Sequence, residues 1–177
     1  MSAGSGTLWT VGHSTRLFAE LRAMLDDAGV TCLVDVRRFA GSRRNPQYSP
    51  AALRDSLGDA YLPLPALGGR RTPSADSPNR AWHVAAFRGY ADHLASDEYT
   101  DARAQLTARA QQERCAVMCA EAVWWRCHRR IIADDLTSRG WQVLHLMGPR
   151  ATVPHPLNAA ARLVGGTLRY PAEPAAG

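Results

Sequence analysis

Apolar positions along the chain follow two alternating rhythms. The runs TLWTV at residues 7–11 and TCLVDV at 31–36 are almost continuously apolar and rich in β-branched residues, as expected of strands buried on both faces of a parallel sheet. Between them Leu17, Leu21, Met24 and Leu25 recur at helical spacing, with Ser14 or Thr15 as the expected N-cap and Gly29 as the stop. Ser49-Pro50 opens a short helix, serine capping and proline in the first turn. Residues 61–64 read as a weak, proline-marked strand. Residues 65–80, with Gly68-Gly69, Pro73 and Pro78, form the expected mobile segment. Helices are then predicted over 84–94 and 98–111, the second capped by Asp97. A strand follows over 114–119, a helix over 126–139 closed by Gly140, and a strand over 141–146. A short helix over 157–163 and a last edge strand over 168–170 complete the pattern.

Strands alternating with helices predict an α/β fold, a single Rossmann-like domain over residues 1–170 with a mostly parallel sheet flanked by helices. Residues 171–177 read as a frayed tail. The 177 residues suffice to bury a core without disulfides or a structural metal. No apolar run reaches the roughly 18 residues of a membrane span, and no membrane partner is expected. The start lacks the basic and apolar regions of a secretory signal. The expected location is therefore cytoplasmic, with reduced thiols.

In open sheets of this kind ligands bind beyond the carboxyl ends of the strands. Gly12-His13-Ser14 follows the first strand. Asp35-Val36-Arg37 and an arginine-rich loop follow the second, and Cys119-Ala120-Glu121 ends the strand at 114–119. Three polar clusters, distant in sequence, are thus predicted to share one sheet edge and one cleft.

The segments TVGHSTR, LVDVRRFAGSRRNPQYS, LPALGGRR, FRGYADHL and MCAEAVWWRCHRRIIADDL run in order along nearly the whole chain. Together they resemble the bacterial and archaeal family called domain of unknown function 488. The resemblance implies a compact α/β domain and brings no established reaction. Some relatives have a short acidic-proline turn where this chain has Val123-Trp124-Trp125, which implies a different pocket lip.

Charge narrows the chemistry. The net charge is +5, and all 21 basic residues are arginine. Without lysine, Schiff bases, a Walker lysine and lysine general bases are excluded. Any anion must be held by arginine, backbone amides or helix ends. The cysteines at 32, 115, 119 and 127 form no C-x-x-C pair, and Cys32 and Cys115 read as small core residues. Cys119, Cys127 and His128 lack a recognised zinc spacing, so no metal and no cofactor are expected.

Two sets of candidate catalytic residues remain. In the first, Glu121 or Asp35 is a general base or nucleophile, His13 or His128 is its acid/base partner, and Arg37, Ser42, Arg43 and Arg129 grip an anion. In the second, Cys119 or Cys127 is activated near a helix start beside arginines. Six residues separate Cys119 from Arg126, one more than the arginine-terminated phosphatase loop allows. Trp124 and Trp125 can stack a base or sugar or simply pack over the sheet edge. The leading expectation is an intracellular enzyme acting on a phosphate-bearing small molecule or nucleic acid, with hydrolysis of an N-glycosidic or related bond. The alternatives are a thiol-dependent enzyme and a non-catalytic nucleotide- or nucleic-acid-binding module.

Overall fold

The computed structural model describes residues 5–174. Residues 1–4, within the expected start, and 175–177 of the expected tail lie outside the described residues. Six strands form one sheet in the order β3-β2-β4-β1-β5-β6. They are β1 (Thr7–Gly12), β2 (Cys32–Asp35), β3 (Tyr61–Pro63), β4 (Cys115–Cys119), β5 (Gln142–Gly148) and β6 (Ala151–Pro154). The first five are parallel, and only β6 runs against its neighbour β5. The helices are α1 (Phe18–Asp27), α2 (Pro50–Leu57), α3 (Ala85–His93), α4 (Asp97–Ala110) and α5 (Arg129–Ser138). The fold is therefore α/β with a mostly parallel sheet covered on both faces. Among the described residues no helix is long and apolar enough to cross a membrane.

The period-2 geometry of the strands assigns each side chain to a face. Trp9, Val11, Leu33, Ala116, Met118 and Leu146 pack with Leu21, Met24 and Leu25 of α1 and Leu53 of α2. Leu8, Val34, Val117, Cys119 and Val143 pack on the opposite face with α3, α4 and α5. Thr10, Cys119 and His145 share that second face, which is why Cys119 and Thr10 meet Arg129 on α5 and His145 meets Thr10.

After β2 the chain passes to α2 on one face, whereas after β4 it passes to α5 on the other. These two strands are neighbours. A crevice opens between their carboxyl ends, the position such sheets offer to ligands. His13 N–H donates to the Cys119 carbonyl at 2.9 Å, Ser14 N–H to Ala120 at 3.0 Å and Val36 N–H to Met118 at 3.0 Å. Backbone bonding thus extends beyond the strands and joins the three sequence clusters at one edge.

Several elements differ from the sequence pattern. Residues 157–163 form no helix. Asn158 instead accepts from Ala160 N–H through its side chain, and the chain enters β7 (Arg162–Val164), paired with β8 (Thr167–Arg169) across Gly165-Gly166. Both glycines have positive φ, the requirement of a tight hairpin turn. The expected last edge strand is therefore half of a separate hairpin. Helix α1 starts after Leu17, whose N–H is taken by Glu20, rather than at a Ser14 or Thr15 cap. Ser96, one residue before the expected Asp97, caps α4. The expected mobile segment is irregular but tethered. Asp92 accepts from Ser74, Ser77 and Asn79, and Tyr90 and His93 bond the Leu67 and Ala66 carbonyls.

Gly12 ends β1 directly beneath the loop that follows β4. A Cβ there would overlap the Glu121 carbonyl oxygen, which also accepts from Arg129. Gly12→Ala is expected to lose about 2–3 kcal/mol in urea unfolding, the scale of overpacking. Gly41→Ala, at a position with open space around it, should stay within about 0.5 kcal/mol of the parent.

Candidate functional site

The crevice is a cleft of about 270 Å³. Cys119, Cys127 and His128 form part of its lining, with Phe39, Gly69 and Phe87 as walls. Exposed Arg38, Arg70, Arg126 and Glu121 stand at its mouth. Gly69 lies where a Cβ would press on the His128 ring, so the wall approaches the imidazole as closely as backbone can.

Cys119 comes from the end of β4, and Cys127 from the junction between a single 3-10 turn (Trp124–Arg126) and α5. Their sulfurs are 2.7 Å apart. Arg129, only 1% exposed, donates from Nε to Cys119 Sγ at 2.9 Å. Its remaining contacts are Thr10 Oγ1 and the carbonyls of Glu121 and Ala122. Among the described residues no carboxylate pairs with it. A lone buried charge is expensive. Among the described residues the sulfur pair is the only group in contact with this guanidinium that readily becomes an anion by losing a proton.

The same conclusion follows from Cys127 itself. Burial alone would push its thiol up, but the Cys119 thiol, His128 and Arg129 outweigh burial and hold Cys127 well below the ordinary thiol range. Burial and its bonded partner Cys127 drive Cys119 the opposite way. Cys127 Sγ also faces the Arg129 backbone N–H at 3.4 Å, at the first turn of α5, where a helix favours negative charge. His128 Nε2 must donate to the Val36 carbonyl at 3.1 Å. That leaves Nδ1 facing Cys127 Sγ at 3.5 Å.

Arg37 lines the cleft, with Asp35 and His13 beside it, but the three bond one another. Arg37 grips Asp35 through Nε at 2.8 Å and a terminal nitrogen at 2.7 Å, and Tyr61 donates to the same carboxylate at 2.6 Å. Burial would lower the Arg37 pKa, yet Asp35 outweighs it and the net shift is upward. Arg37 also donates to the Tyr48 carbonyl, which fixes the arginine loop. His13 Nδ1 bonds the Ser14 carbonyl at 2.8 Å, and its ring stacks on Tyr48. Its Nε2 therefore accepts from Arg37 at 3.3 Å. Burial, opposed by that Ser14 bond, lowers its pKa, so His13 is held neutral.

A second buried network starts from Arg129. Asp134, a carboxylate, can only accept, so His155 Nε2 donates to it at 2.7 Å. The bare Nδ1 of His155 then accepts from His145 Nε2 at 2.9 Å, and His145 Nδ1 accepts from the Thr10 hydroxyl at 2.6 Å. Thr10 in turn accepts from Arg129 at 3.1 Å. Every donor points from the guanidinium toward the carboxylate, which assigns both imidazole tautomers. Trp124 lies flat on His145, with ring centroids 4.5 Å apart, and anchors the turn that precedes Cys127.

Of the residues predicted from sequence, Glu121, Cys119, Cys127, His128 and Arg37 line the cleft. Arg129 lies beneath it, and Asp35 and His13 lie beside it. Ser42 and Arg43 do not line it, and Ser42 Oγ accepts from Arg44 N–H. Trp124 packs inward, whereas Trp125 is exposed. Among the described residues no group of three or more His, Cys, Asp or Glu is placed to hold a metal ion. Sequence reasoning missed Arg38 and Arg70, and took Arg126 only as one of the arginines near the cysteines. Strand alternation carried just past β2 puts Arg37 and Arg38 on opposite faces, but both faces of this sheet are covered, so it does not tell which is buried; Arg70 stands in the LPALGGRR segment. The His145–His155–Asp134 chain has no sequence signature.

A family model described as Domain of unknown function DUF488 matches residues 18–136. That span contains the cleft, α5 up to Leu136 and Asp134, but not β1, β5 or His155. No curated protein and no solved structure matches the chain.

Asp35→Asn is expected to leave Arg37 charged and unpaired in a dry site and to cost about 3–5 kcal/mol in urea unfolding. Acid should also destabilise the fold through His145. Burial, followed by the electrostatic influence of neighbouring His155 and Arg129, pulls its pKa down to about 3, whereas an unfolded histidine titrates near 6.5. Between those values the unfolded chain binds the extra proton. The stability is complete above about pH 6.5 and is lost toward pH 3, at up to about 1.4 kcal/mol per pH unit. Urea midpoints at pH 7 and pH 4.5 should show this fall, and His145→Gln should make it shallower.

Proposed function

The chain belongs to the DUF488 family of domains of unknown function, and from the chemistry of its cleft we propose that it is a thiol-dependent enzyme acting on an anionic small molecule, with phosphate esters as the favoured class. The observation that carries this reading is buried Arg129, which has no carboxylate partner among the described residues and donates to the Cys119–Cys127 sulfur pair. A thiolate on that pair is the counter-charge the guanidinium lacks. Cys127 is the nucleophile. It lies at a helix start and faces His128 and the Arg129 backbone amide, the surroundings that activate thiols. Cys119 supplies a hydrogen bond to it, and Glu121 on the rim is the acid/base group. Exposed Arg38, Arg70 and Arg126 draw the anion in, and guanidinium forks match phosphate geometry. Phe39 and Phe87 face the apolar part of the substrate. The carboxylate–histidine hydrolase reading has less geometric support: Asp35 and His13 are committed to Arg37, Tyr61 and Ser14, which leaves it only Glu121 and His128 at the cleft.

Alkylation tests this without knowledge of the substrate. Cys127 should be carboxymethylated by iodoacetate at pH 7, and faster than by neutral iodoacetamide, the reverse of the order for ordinary thiols. Arg38→Ala combined with Arg126→Ala should slow iodoacetate by about tenfold, the lower end of electrostatic steering, with little change for iodoacetamide. A Cys127 that reacts only as pH approaches the ordinary thiol value of about 8.5 overturns the assignment.

A further inference from the structure

We propose that Cys119 and Cys127 act together as a dithiol that exchanges with anionic disulfides, an activity beyond phosphate-ester chemistry that rests on the thiolate reading above. Three observations carry it. The two sulfurs are in contact at 2.7 Å, although they come from a strand end and a helix start. Both cysteines line the same cleft, so a substrate that reaches one lies beside the other. Arg129 touches both, with Nε on the Cys119 sulfur and its backbone N–H facing that of Cys127, so negative charge is accommodated whichever sulfur carries it. A simple nucleophile needs one sulfur. A partner sulfur in contact, with its own cation, is the arrangement that resolves a mixed disulfide.

The steps balance. The Cys127 thiolate attacks RS–SR, forming Cys127–S–SR and releasing RS⁻. The Cys119 thiol loses its proton to solvent and attacks the Cys127 sulfur. The second RS⁻ leaves, and a Cys119–Cys127 disulfide remains. Two electrons pass from the protein to the substrate, and a low-molecular-weight thiol returns them. The arginines at the mouth select disulfides bearing carboxylate or phosphate groups. Oxidation removes the thiolate and leaves the buried Arg129 charge unbalanced, so the reduced fold is the more stable of the two. The pair is thus poised as an oxidant once its disulfide has formed.

The aromatic dicarboxylate 5,5′-dithiobis(2-nitrobenzoate) is a direct probe, read by absorbance and by peptide mass. In the parent, release of two nitrothiobenzoate ions per reacting chain is expected, with a cross-linked peptide joining Cys119 to Cys127. Cys119→Ser should release one ion and keep the other as a stable adduct on Cys127. The oxidised parent should melt below the reduced one, and dithiothreitol should restore it. A stable adduct on Cys127 in the parent, with no cross-link to Cys119, overturns the exchange proposal and leaves the thiolate reading intact. Failure of Cys127 to react with this probe and with iodoacetate removes both. The cross-link is read in the parent itself, so the test does not depend on the folding of any variant.

Discussion

A guanidinium buried without a carboxylate sets the terms for the rest of this structure. Arg129 carries a guanidinium, a group that does not give up its charge by losing a proton in a protein. Its surroundings must supply acceptors or negative charge. They do so in three directions. The loop after β4 turns the Glu121 and Ala122 carbonyls inward, which requires the bare Gly12 beneath. The sulfur pair faces Nε. Thr10 passes polarisation through two imidazoles to Asp134. The first two branches draw on the end of β4 and the third on β1 and β5, so one charge on α5 organises three adjacent strands.

This separates two arginine clusters that look alike as letters. Arg37 is paired internally: Asp35, Tyr48 and Tyr61 close a circuit that holds the loop after β2 in place. Arg129 is balanced through sulfur, which can gain or lose a proton, and through a distant carboxylate. The Asp-Val-Arg segment resembles catalytic machinery in its polarity, yet its bonds are directed at itself. The Cys-His-Arg segment faces a cleft that solutes can enter.

Much of the architecture was legible because strand and helix periods are geometric. Mostly apolar runs at 7–11, 31–36 and 114–119 have little alternative to buried parallel strands, and the polar residues after them had to fall on one edge. The cleft at that edge follows. Face assignment beyond the strands was less legible. Whether Arg37 or Arg38 points inward depends on how the chain continues past Asp35, and no composition rule contains that. The nearness of Cys119 and Cys127 depends on how the intervening loop folds back. His145 and His155 sit on β5 and just after β6, with ordinary neighbours. Only the antiparallel return of β6, which the sequence pattern left unread, brings them together. Residues 157–163 read as helical on apolar spacing alone, but Asn158 and the paired glycines at 165 and 166 impose a turn and a hairpin.

Trp124 ties these pieces together in a way that bears on how such a chain can evolve. Its ring covers His145 while the same turn delivers Arg126 and Cys127 to the cleft. The stretch between the two cysteines is therefore not an interchangeable surface loop. Replacing it with a turn of different length or without an aromatic ring would uncover a buried histidine on β5, a strand that contributes nothing to the cleft's lining. Diversification of the lip is constrained from the opposite side of the sheet's central strand, and a compatible change at position 145 would have to accompany it.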